Sequence, residues 1–321
     1  MTAKAPIPPW TGALLLLLIA TTFASNHVAA RLAFDHGTSV ATAVAVRSFV
    51  TTFAVRGLLV ATRTSLRLPA PTLRRAVGIG LLLTVQSYCL YAAVARLPVA
   101  LALLTFNLFP ILLAGLTWLA GGQRPARRTL IAMPVILTGL TLALNVFGLG
   151  TGASAGASAL GRRWGEIGAG VGFAFAAASS FAAVLFLTTR WLGGVDGRLR
   201  ACLTMATVGV AVLCVGGLAH ALGWLTDSAG RPVAVFSLPT APIGWLGLGL
   251  LSLLYTIAFT ALFVLLPRLG SVNNAPVLNF EPIAAMILGA LILGQTVAPV
   301  QIGGALLVIG GIVFLATAPR T

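Results

Sequence analysis

Long apolar runs with few charges recur along the whole chain, and they constrain its fold more than any other feature. Each run has roughly 20 to 24 residues, which is the length an α-helix needs to cross a hydrocarbon core of about 30 Å. The ten runs are 11–33, 38–60, 75–95, 98–119, 129–148, 166–189, 201–222, 243–266, 272–294 and 299–318. The sequence therefore predicts an all-α membrane protein with ten transmembrane helices.

The amino-acid composition excludes an ordinary soluble domain. Hydrophobic residues make up 59% of the chain and charged residues only 8%, against about 45–50% and about 25% in soluble domains. A chain so poor in charge cannot cover a water-exposed surface. The first run resembles the apolar part of a signal peptide because Lys4 precedes it, but its apolar stretch extends beyond the usual length of that segment. We interpret this run as a transmembrane helix.

The basic residues predict the orientation in the membrane. The net charge is +15, but its placement in alternate loops argues against nucleic-acid binding. With a cytoplasmic amino terminus, the basic residues inside are Lys4, Arg63, Arg67, Arg74, Arg75, Arg124, Arg127, Arg128, Arg190, Arg198, Arg200, Arg268 and Arg320. Those outside are Arg31, Arg96, Arg162, Arg163 and Arg231. The positive-inside rule then puts both termini in the cytoplasm of a bacterial cell, with the basic loops against the anionic lipids of its inner membrane.

The second half of the chain repeats the first. The stretch from Arg96 aligns without gaps with the stretch from Arg268. The matched positions include Asn107 with Asn279, Pro110 with Pro282, Gly122 with Gly294, and Gln123 with Gln295. We predict a first five-helix repeat at 1–148, a Gly/Ala/Ser-rich linker at 149–165 and a second five-helix repeat at 166–321. Because each repeat has an odd number of spans, the second enters the membrane from the opposite side, as in the inverted repeats of secondary transporters.

The last pair of runs carries the motifs of a known family. These motifs are Glu281-Pro282, Gly294-Gln295, Gln301 with Gly303-Gly304, and Gly310-Gly311. Together with SNHVAARLA at 25–33 and Arg47, they make the chain resemble the EamA-type branch of the drug/metabolite transporter superfamily over nearly its whole length. Phe23-Ala24, Arg31 and Gln295 stand where that family usually has Trp-Gly, lysine and glutamate. The resemblance implies export of a small amphipathic metabolite, of which an amino acid is one example.

A glutamate inside an apolar run is the first candidate for a functional residue. Glu281 lies about ten residues into its run, roughly 15 Å deep and near the midplane of the core. A carboxylate at that depth must face the interior of the bundle, and Arg47 is its expected ionic partner. Two roles stay open for Glu281: a proton site or contact for a substrate ammonium group, and a structural hydrogen bond.

Prolines at matching places in the two halves predict interrupted helices around a transport site. Pro110 and Pro282 each lack a backbone donor, and Pro282 is expected to free the carbonyl group near Leu278. We treat both prolines as hinge candidates. The paired Asn107 and Asn279 beside them become candidates for substrate contact.

Polar and aromatic side chains in other runs are further candidates for substrate binding or coupling. They are Ser87, Tyr88 and Tyr91 on one predicted face of the third run, Tyr255 in the eighth run, and Asn26 and His27 in the first. One interpretation is a mixed polar and aromatic cavity wall. Ordinary packing between helices is the alternative for each of them.

Missing motifs exclude several function classes. Lys4 is the single lysine, so a G-x-x-x-x-G-K-[ST] phosphate loop is impossible and the chain carries no ATPase of its own. No HExxH or CxxC motif appears, nor a GxSxG motif in a suitable context, so we predict no enzyme, metal site or cofactor. We expect a monomeric secondary transporter whose partners are a small solute and membrane lipids. An uptake or exchange permease for a polar metabolite and a non-transporting subunit of a larger complex are the alternatives.

Overall fold

A computed structural model gives the fold of the chain. It describes residues 9–64, 68–121, 127–143, 157–223, 234–269, 280–295 and 298–316. Within these ranges the regular structure is entirely helical, which confirms the all-α prediction for this part of the chain. The helices are α1 (Pro9–Asp35), α2 (Val40–Ala61), α3 (Ala70–Val94), α4 (Val99–Phe106), α5 (Phe109–Leu119), α6 (Arg127–Ala143), α7 (Ala157–Leu192), α8 (Gly197–Ala221), α9 (Pro242–Leu269), α10 (Glu281–Leu293) and α11 (Pro299–Ala316).

The described helices have the length and surface of a membrane protein. Seven spans are long and apolar enough to cross a bilayer, when α4 and α5 are taken together as Val99–Leu119. The shorter apolar helices are Pro134–Ala143, Glu281–Leu293 and Pro299–Gly311. Large apolar side chains cover the outside, and Leu119 is 83% exposed and Leu291 78% exposed. An apolar exterior of this kind suits lipid, so the chain is an integral membrane protein.

The fourth predicted span is broken in its middle. α4 ends at Phe106, and α5 begins at Phe109 with Pro110 in its first turn. In a continuous helix, the ring of Pro110 would clash with the carbonyl group of Phe106. In the first turn of α5 the missing N–H of Pro110 costs nothing, because the first four N–H groups of a helix have no intrahelical acceptor. The run 98–119 is therefore one span made from two helices.

Helices from the two predicted repeats pack against each other throughout the bundle. α1 lies along α9, and α3 lies along α7. α2 lies along α8, and α6 lies along α11. Each of these contacts joins a helix of the first half to a helix of the second, and α7 begins at Ala157, inside the segment 149–165 that the sequence predicted as a linker. Neither half of the described chain packs mainly on itself.

Glycines let two of these helix pairs approach to backbone contact. A Cβ atom on Gly139 of α6 would lie 2.8 Å from the carbonyl oxygen of Gly304 on α11, and one on Gly304 would collide with the backbone of Ala143. A Cβ atom on Gly247 of α9 would lie 2.8 Å from the backbone nitrogen of Ala33 on α1. Small residues are common at such crossings in membranes, because helices in lipid gain stability from close packing and little from burying apolar surface.

The loop between α1 and α2 is bonded to the segment that precedes α9. The Ser39 N–H donates to the Ser237 carbonyl oxygen at 3.2 Å, and the Ser237 hydroxyl donates to the Gly37 carbonyl oxygen at 2.6 Å. The Thr240 N–H donates to the His36 carbonyl oxygen at 3.0 Å. We call this set of bonds the Ser39 loop contact. It closes the end of the bundle where α2 begins.

A second loop contact lies where α2 ends. Arg198, in the first turn of α8, donates to the hydroxyl of Thr62 at 3.2 Å and to that of Thr64 at 3.4 Å. Asp196 caps α8 by accepting from the Arg198 N–H at 2.8 Å. Hydrogen bonds from the Arg198 side chain hold the pKa of Asp196 below its usual value. We call this set the Arg198 loop contact, and because α2 separates the two sets they lie at opposite ends of the bundle.

We predict that Gly304→Val destabilises the protein by forcing α6 and α11 apart. The new side chain would have no room against the Ala143 backbone, and overpacking of this kind costs about 1–3 kcal/mol. The melting temperature of the purified protein in detergent measures the loss. Gly303→Val is the matched control, because a Cβ atom at Gly303 meets open space. Equal destabilisation by both variants would contradict the backbone contact.

We predict that Asp196→Ala lowers the melting temperature by about 2 °C, because a lost N-cap costs about 1 kcal/mol. Asp196→Asn keeps a capping oxygen and removes only the charge. Since the pKa of Asp196 is lowered in the folded state, the stability from its charge is fully present well above pH ~4 and disappears as the pH falls through the folded-state pKa. The stability difference between the wild-type protein and Asp196→Asn should therefore shrink in acid. Growth of that difference below pH ~4 would contradict the assignment.

Candidate functional site

Polar side chains from α1, α2, α3, α9 and α10 converge inside the apolar bundle. They are Asn26, His27, Arg47, Ser87, Tyr91, Tyr255 and Glu281, and we call them the central polar cluster. Tyr255 and Glu281 are partly exposed, and the others are buried. Burying a polar group costs free energy unless it is hydrogen-bonded, and burying a charge costs more. The partners of these side chains therefore decide what the cluster can do.

Arg47 lies at the centre of the cluster. It is only 3% exposed and lies in α2, roughly 10 Å from the start of that helix. Its guanidinium carbon lies 3.9 Å from the centroid of the Tyr255 ring and 4.7 Å from that of Tyr91. Its Nη2 donates a hydrogen bond to the Ser87 hydroxyl at 2.9 Å. Cation–π contacts of a desolvated arginine stabilise it by about 2 kcal/mol, which replaces part of the lost hydration.

The carboxylates whose side chains the structure describes, those of Asp35, Asp196 and Glu281, all have partners other than Arg47. The described ion pairs are Arg31–Asp35 at 2.9 Å, Asp196–Arg198 at 3.1 Å and His27–Glu281 at 3.4 Å. The sequence predicted an ion pair between Arg47 and Glu281, and the described ion pairs do not include it. Arg47 Nε also has no hydrogen-bond partner there. Among the described side chains, the neighbours that stabilise this buried cation are the rings of Tyr91 and Tyr255 and the hydroxyls of Ser87 and Tyr91.

Glu281 is the first residue of α10 and faces His27 on α1. Its Oε1 lies 3.4 Å from His27 Nε2, and the two side chains are 25% and 6% exposed. A carboxylate at the first turn of a helix is stabilised by the unpaired N–H groups of that turn. Pro282 lies in the same turn, where its missing N–H costs no helical bond. The glutamate and the proline are therefore adjacent because a helix begins there. Leu278, near which Pro282 was expected to free a carbonyl group, lies outside the described residues.

Tyr91 links the two charged parts of the cluster. Its hydroxyl donates to Asn26 Oδ1 at 2.7 Å, and Asn26 Nδ2 lies within bonding distance of the same hydroxyl at 3.2 Å. Its ring meets the His27 ring edge-on at 5.7 Å between centroids. The same ring contacts the Arg47 guanidinium group. A single buried side chain therefore touches both Arg47 and the histidine that faces Glu281.

Some predicted residues do not join the cluster. Tyr88 is 40% exposed and lies on the outer stripe of α3, so it does not share the buried face of Ser87 and Tyr91. Asn107 is buried at the break between α4 and α5, and no described hydrogen bond of its side chain reaches the cluster. Asn279 lies outside the described residues, and Pro110 is described only through its backbone.

Other members of the site were not predicted from the sequence. Gln86 accepts from the Ser87 hydroxyl at 3.2 Å, and Phe23 meets the Tyr255 ring edge-on at 5.9 Å. The available signal for Gln86 was its adjacency to Ser87, because polar residues in an apolar run tend to turn away from lipid.

Packed side chains separate the Arg198 loop contact from the cluster. The hydroxyls of Thr51 and Thr256 lie 3.0 Å apart beside Arg47, and Tyr255 stacks on Phe259 at 5.3 Å. Phe259 in turn lines a shallow gap beside Arg198 that is too narrow to hold a water molecule. The other lining residues are Val55, Leu58, Ala201 and Thr260.

The chemistry of the cluster suits reversible binding of a small polar molecule. It offers a cation, a carboxylate, an imidazole and hydroxyl groups around two tyrosine rings. Within the described ranges, no group of three or more His, Cys, Asp or Glu side chains is arranged to hold a metal ion. Binding at this site would therefore use hydrogen bonds, ionic contacts and aromatic faces.

Comparisons with known proteins identify the family. Among solved structures, 15 chains match, and one, described only as "Crystal structure of protein", matches with a TM-score of 0.60 and 18% identity over 97% of this chain and 98% of the other. That likeness shows the fold alone. No curated protein matches the chain. The model of the EamA-like transporter family matches residues 10–145 and 168–317, which confirms the resemblance inferred from the motifs. Since the match covers most of its length, the chain belongs to the EamA-like transporter family.

Proposed function

We propose that the chain is a secondary transporter that exports a small metabolite across the bacterial inner membrane by alternating access. Membership of the EamA-like transporter family supports a membrane transporter. In this proposal the chain crosses the membrane ten times, in two inverted five-helix repeats at 1–148 and 166–321, with both termini in the cytoplasm. The transported molecule is amphipathic, and an amino acid is one example. The central polar cluster is the proposed site of transport.

The observation that carries the proposal is that both halves of the chain build one polar cluster inside an apolar bundle. Asn26, Arg47 and Tyr91 come from the first half, and Tyr255 and Glu281 come from the second. Ionisable side chains are costly within a membrane and mark solute or ion pathways. A site shared by two halves changes its access when the halves tilt against each other, which is the movement that alternating access requires.

The pairing of helices supports two inverted repeats. If the first five spans correspond to the last five, α1 corresponds to α7 and α3 corresponds to α9. The contact between α1 and α9 then maps onto the contact between α7 and α3, and both are extensive. The contacts of α2 with α8 and of α6 with α11 map onto themselves. A pseudo-two-fold axis in the membrane plane gives this pattern.

The two loop contacts are the proposed gates. Both join residues of the first half to residues of the second, and they lie at opposite ends of α2. The positive-inside rule assigns the Arg198 loop contact to the cytoplasmic side, where the solute would enter, and the Ser39 loop contact to the outer side. Breaking the Ser39 bonds while strengthening those of Arg198 would release the solute outside.

Glu281 and His27 are the proposed coupling pair. The Glu281 carboxylate can accept a proton or hold a substrate ammonium group. His27 Nε2 lies 3.4 Å from that carboxylate, close enough to compete with the substrate ammonium group for it. The structural alternative is that this pair only ties α10 to α1. A charge-neutral substitution separates the two roles, because a merely structural hydrogen bond survives in an amide.

We predict that purified protein in liposomes, with no partner added, transports labelled metabolites from an amino-acid panel. Glu281→Gln should lower this flux at least about tenfold, which corresponds to a loss of about 1.4 kcal/mol. The amide keeps the shape and hydrogen bonding of the side chain but not its charge. Asp35→Asn is the control, since Asp35 pairs with Arg31 outside the cluster, and its flux should stay near that of the wild type.

Two results would contradict this function. No flux of any panel member by the wild-type protein would favour the subunit alternative. A Glu281→Gln variant with unchanged flux and a lower melting temperature would make Glu281 structural.

We predict that single cysteines at Arg63 and Gly194 are labelled from the cytoplasmic side and one at Leu238 from the outside. The positions are exposed at the two loop contacts, which lie at opposite ends of the bundle. A membrane-impermeant maleimide applied to intact cells and to inverted vesicles gives the sidedness, after Cys89, Cys202 and Cys214 are replaced. Labelling of Arg63→Cys and Gly194→Cys from opposite sides would refute the inverted arrangement.

A further inference from the structure

Arg47 is a buried cation whose charge meets no carboxylate among the described residues. It is 3% exposed, and the carboxylates of Asp35, Asp196 and Glu281 each face another cation or imidazole. Buried charges are normally paired, because the loss of hydration strongly disfavours an isolated ion. A bundle that keeps such a cation at a shared site between its halves is suited to receive an anion from outside the protein.

The contacts of Arg47 define where that anion can bind. The rings of Tyr91 and Tyr255 lie against the guanidinium group, and the Tyr91 hydroxyl also interacts with it. Nη2 already donates to Ser87 at 2.9 Å, whereas Nε has no partner in the described part of the chain. Carboxylates bind guanidinium groups in the plane of the group, through two parallel N–H···O bonds. The edge that carries Nε therefore matches a carboxylate.

The central polar cluster contains a second buried polar atom that lacks a partner in the described part of the chain. His27 Nδ1 has no hydrogen-bond partner among the described groups, and the His27 ring lies against Tyr91, which also contacts Arg47. Folded proteins leave few buried polar atoms unpaired, yet Arg47 and His27 bring two of them into one cluster. Phe23 and Tyr255 add aromatic surface beside these groups. The combination fits a ligand with one charged end and an apolar body.

We propose that Arg47 binds the carboxylate of the transported solute, and that the solute is a small carboxylate with an apolar body. This inference rests on the proposed transport function and deepens it by naming the group that the site recognises. The carboxylate accepts hydrogen bonds from Nε and a terminal nitrogen of Arg47, with its apolar part against the tyrosine rings. An amino acid and a plain carboxylic acid share this group, and only the amino acid also offers an ammonium group to Glu281.

The first test compares acids with their amides on the purified wild-type protein. A panel of free amino acids and the same compounds as primary amides is screened for ligand-induced increases in melting temperature at equal concentration. At least one free acid should bind about tenfold more tightly than its amide. No preference for any acid over its amide would overturn the inference.

A matched set of four compounds distinguishes an amino acid from a plain carboxylic acid as the ligand. L-Leucine carries both charges, 4-methylpentanoate carries only the carboxylate, 3-methylbutylamine carries only the ammonium group, and L-leucinamide masks the carboxylate. Stabilisation by 4-methylpentanoate as strong as by leucine identifies a plain carboxylate ligand. Stronger stabilisation by leucine identifies an amino acid. Stabilisation by the amine or the amide equal to that by the acids contradicts a role for Arg47 in binding them.

Substitutions then assign the acid preference to Arg47. Arg47→Gln should bind acid and amide equally, and Arg47→Lys should keep a weaker preference, with affinity for the acid lower by about tenfold because lysine cannot bind in a bidentate manner. Arg56→Gln is the control, since Arg56 lies exposed on the same helix, and it should keep the full preference. Arg47→Lys decides the matter if Arg47→Gln does not fold. An undiminished acid preference in either Arg47 variant would refute the proposal.

The outcomes distinguish this inference from the proposed function. Acid-selective binding without flux in liposomes would leave the Arg47 site in place and refute transport. Equal flux of acids and amides would leave transport in place and refute the Arg47 site.

Discussion

A guanidinium group buried in a lipid-embedded bundle is the interaction around which the central helices are arranged. Arg47 has almost no exposure to solvent, so the protein surrounds it with two tyrosine rings and the Ser87 hydroxyl. These groups come from α3 and α9, which lie on either side of the linker. Stabilising this cation therefore fixes the positions of α2, α3 and α9 relative to one another. The same requirement joins the two halves of the chain at the proposed site.

The rest of the bundle is joined in a different way. α6 and α11 contact mainly each other, and they meet at Gly139 and Gly304 with backbone against backbone. Helices in lipid gain little from burying apolar surface, so they depend on close approach and on polar contacts. The bundle thus has backbone contact between α6 and α11 and between α1 and α9, polar side-chain contact around Arg47, and hydrogen-bonded loops at its two ends.

The partner of Glu281 shows why part of the site could not be predicted. Opposite charges and similar depth suggested a pair with Arg47, but α10 packs against α1 and so brings Glu281 to His27. Depth can be counted along a chain at about 1.5 Å per residue. The order of helices around a bundle depends on how their surfaces pack together, and counting residues along the chain gives no information about that order. The same limit explains why Tyr88 was grouped with Ser87 and Tyr91, and why Gln86 and Phe23 were missed.

The sequence alone determined the helical class, the positions of the apolar runs, the family, and most of the polar residues that meet in the cluster. It could do so because unpaired backbone groups are too costly in lipid, so each apolar run forms a helix whatever its neighbours are. The tertiary structure decided which of those residues touch: Arg47 with the tyrosines, and Glu281 with His27. These contacts join positions far apart in the chain, and they depend on packing between helices rather than on the composition of any one of them.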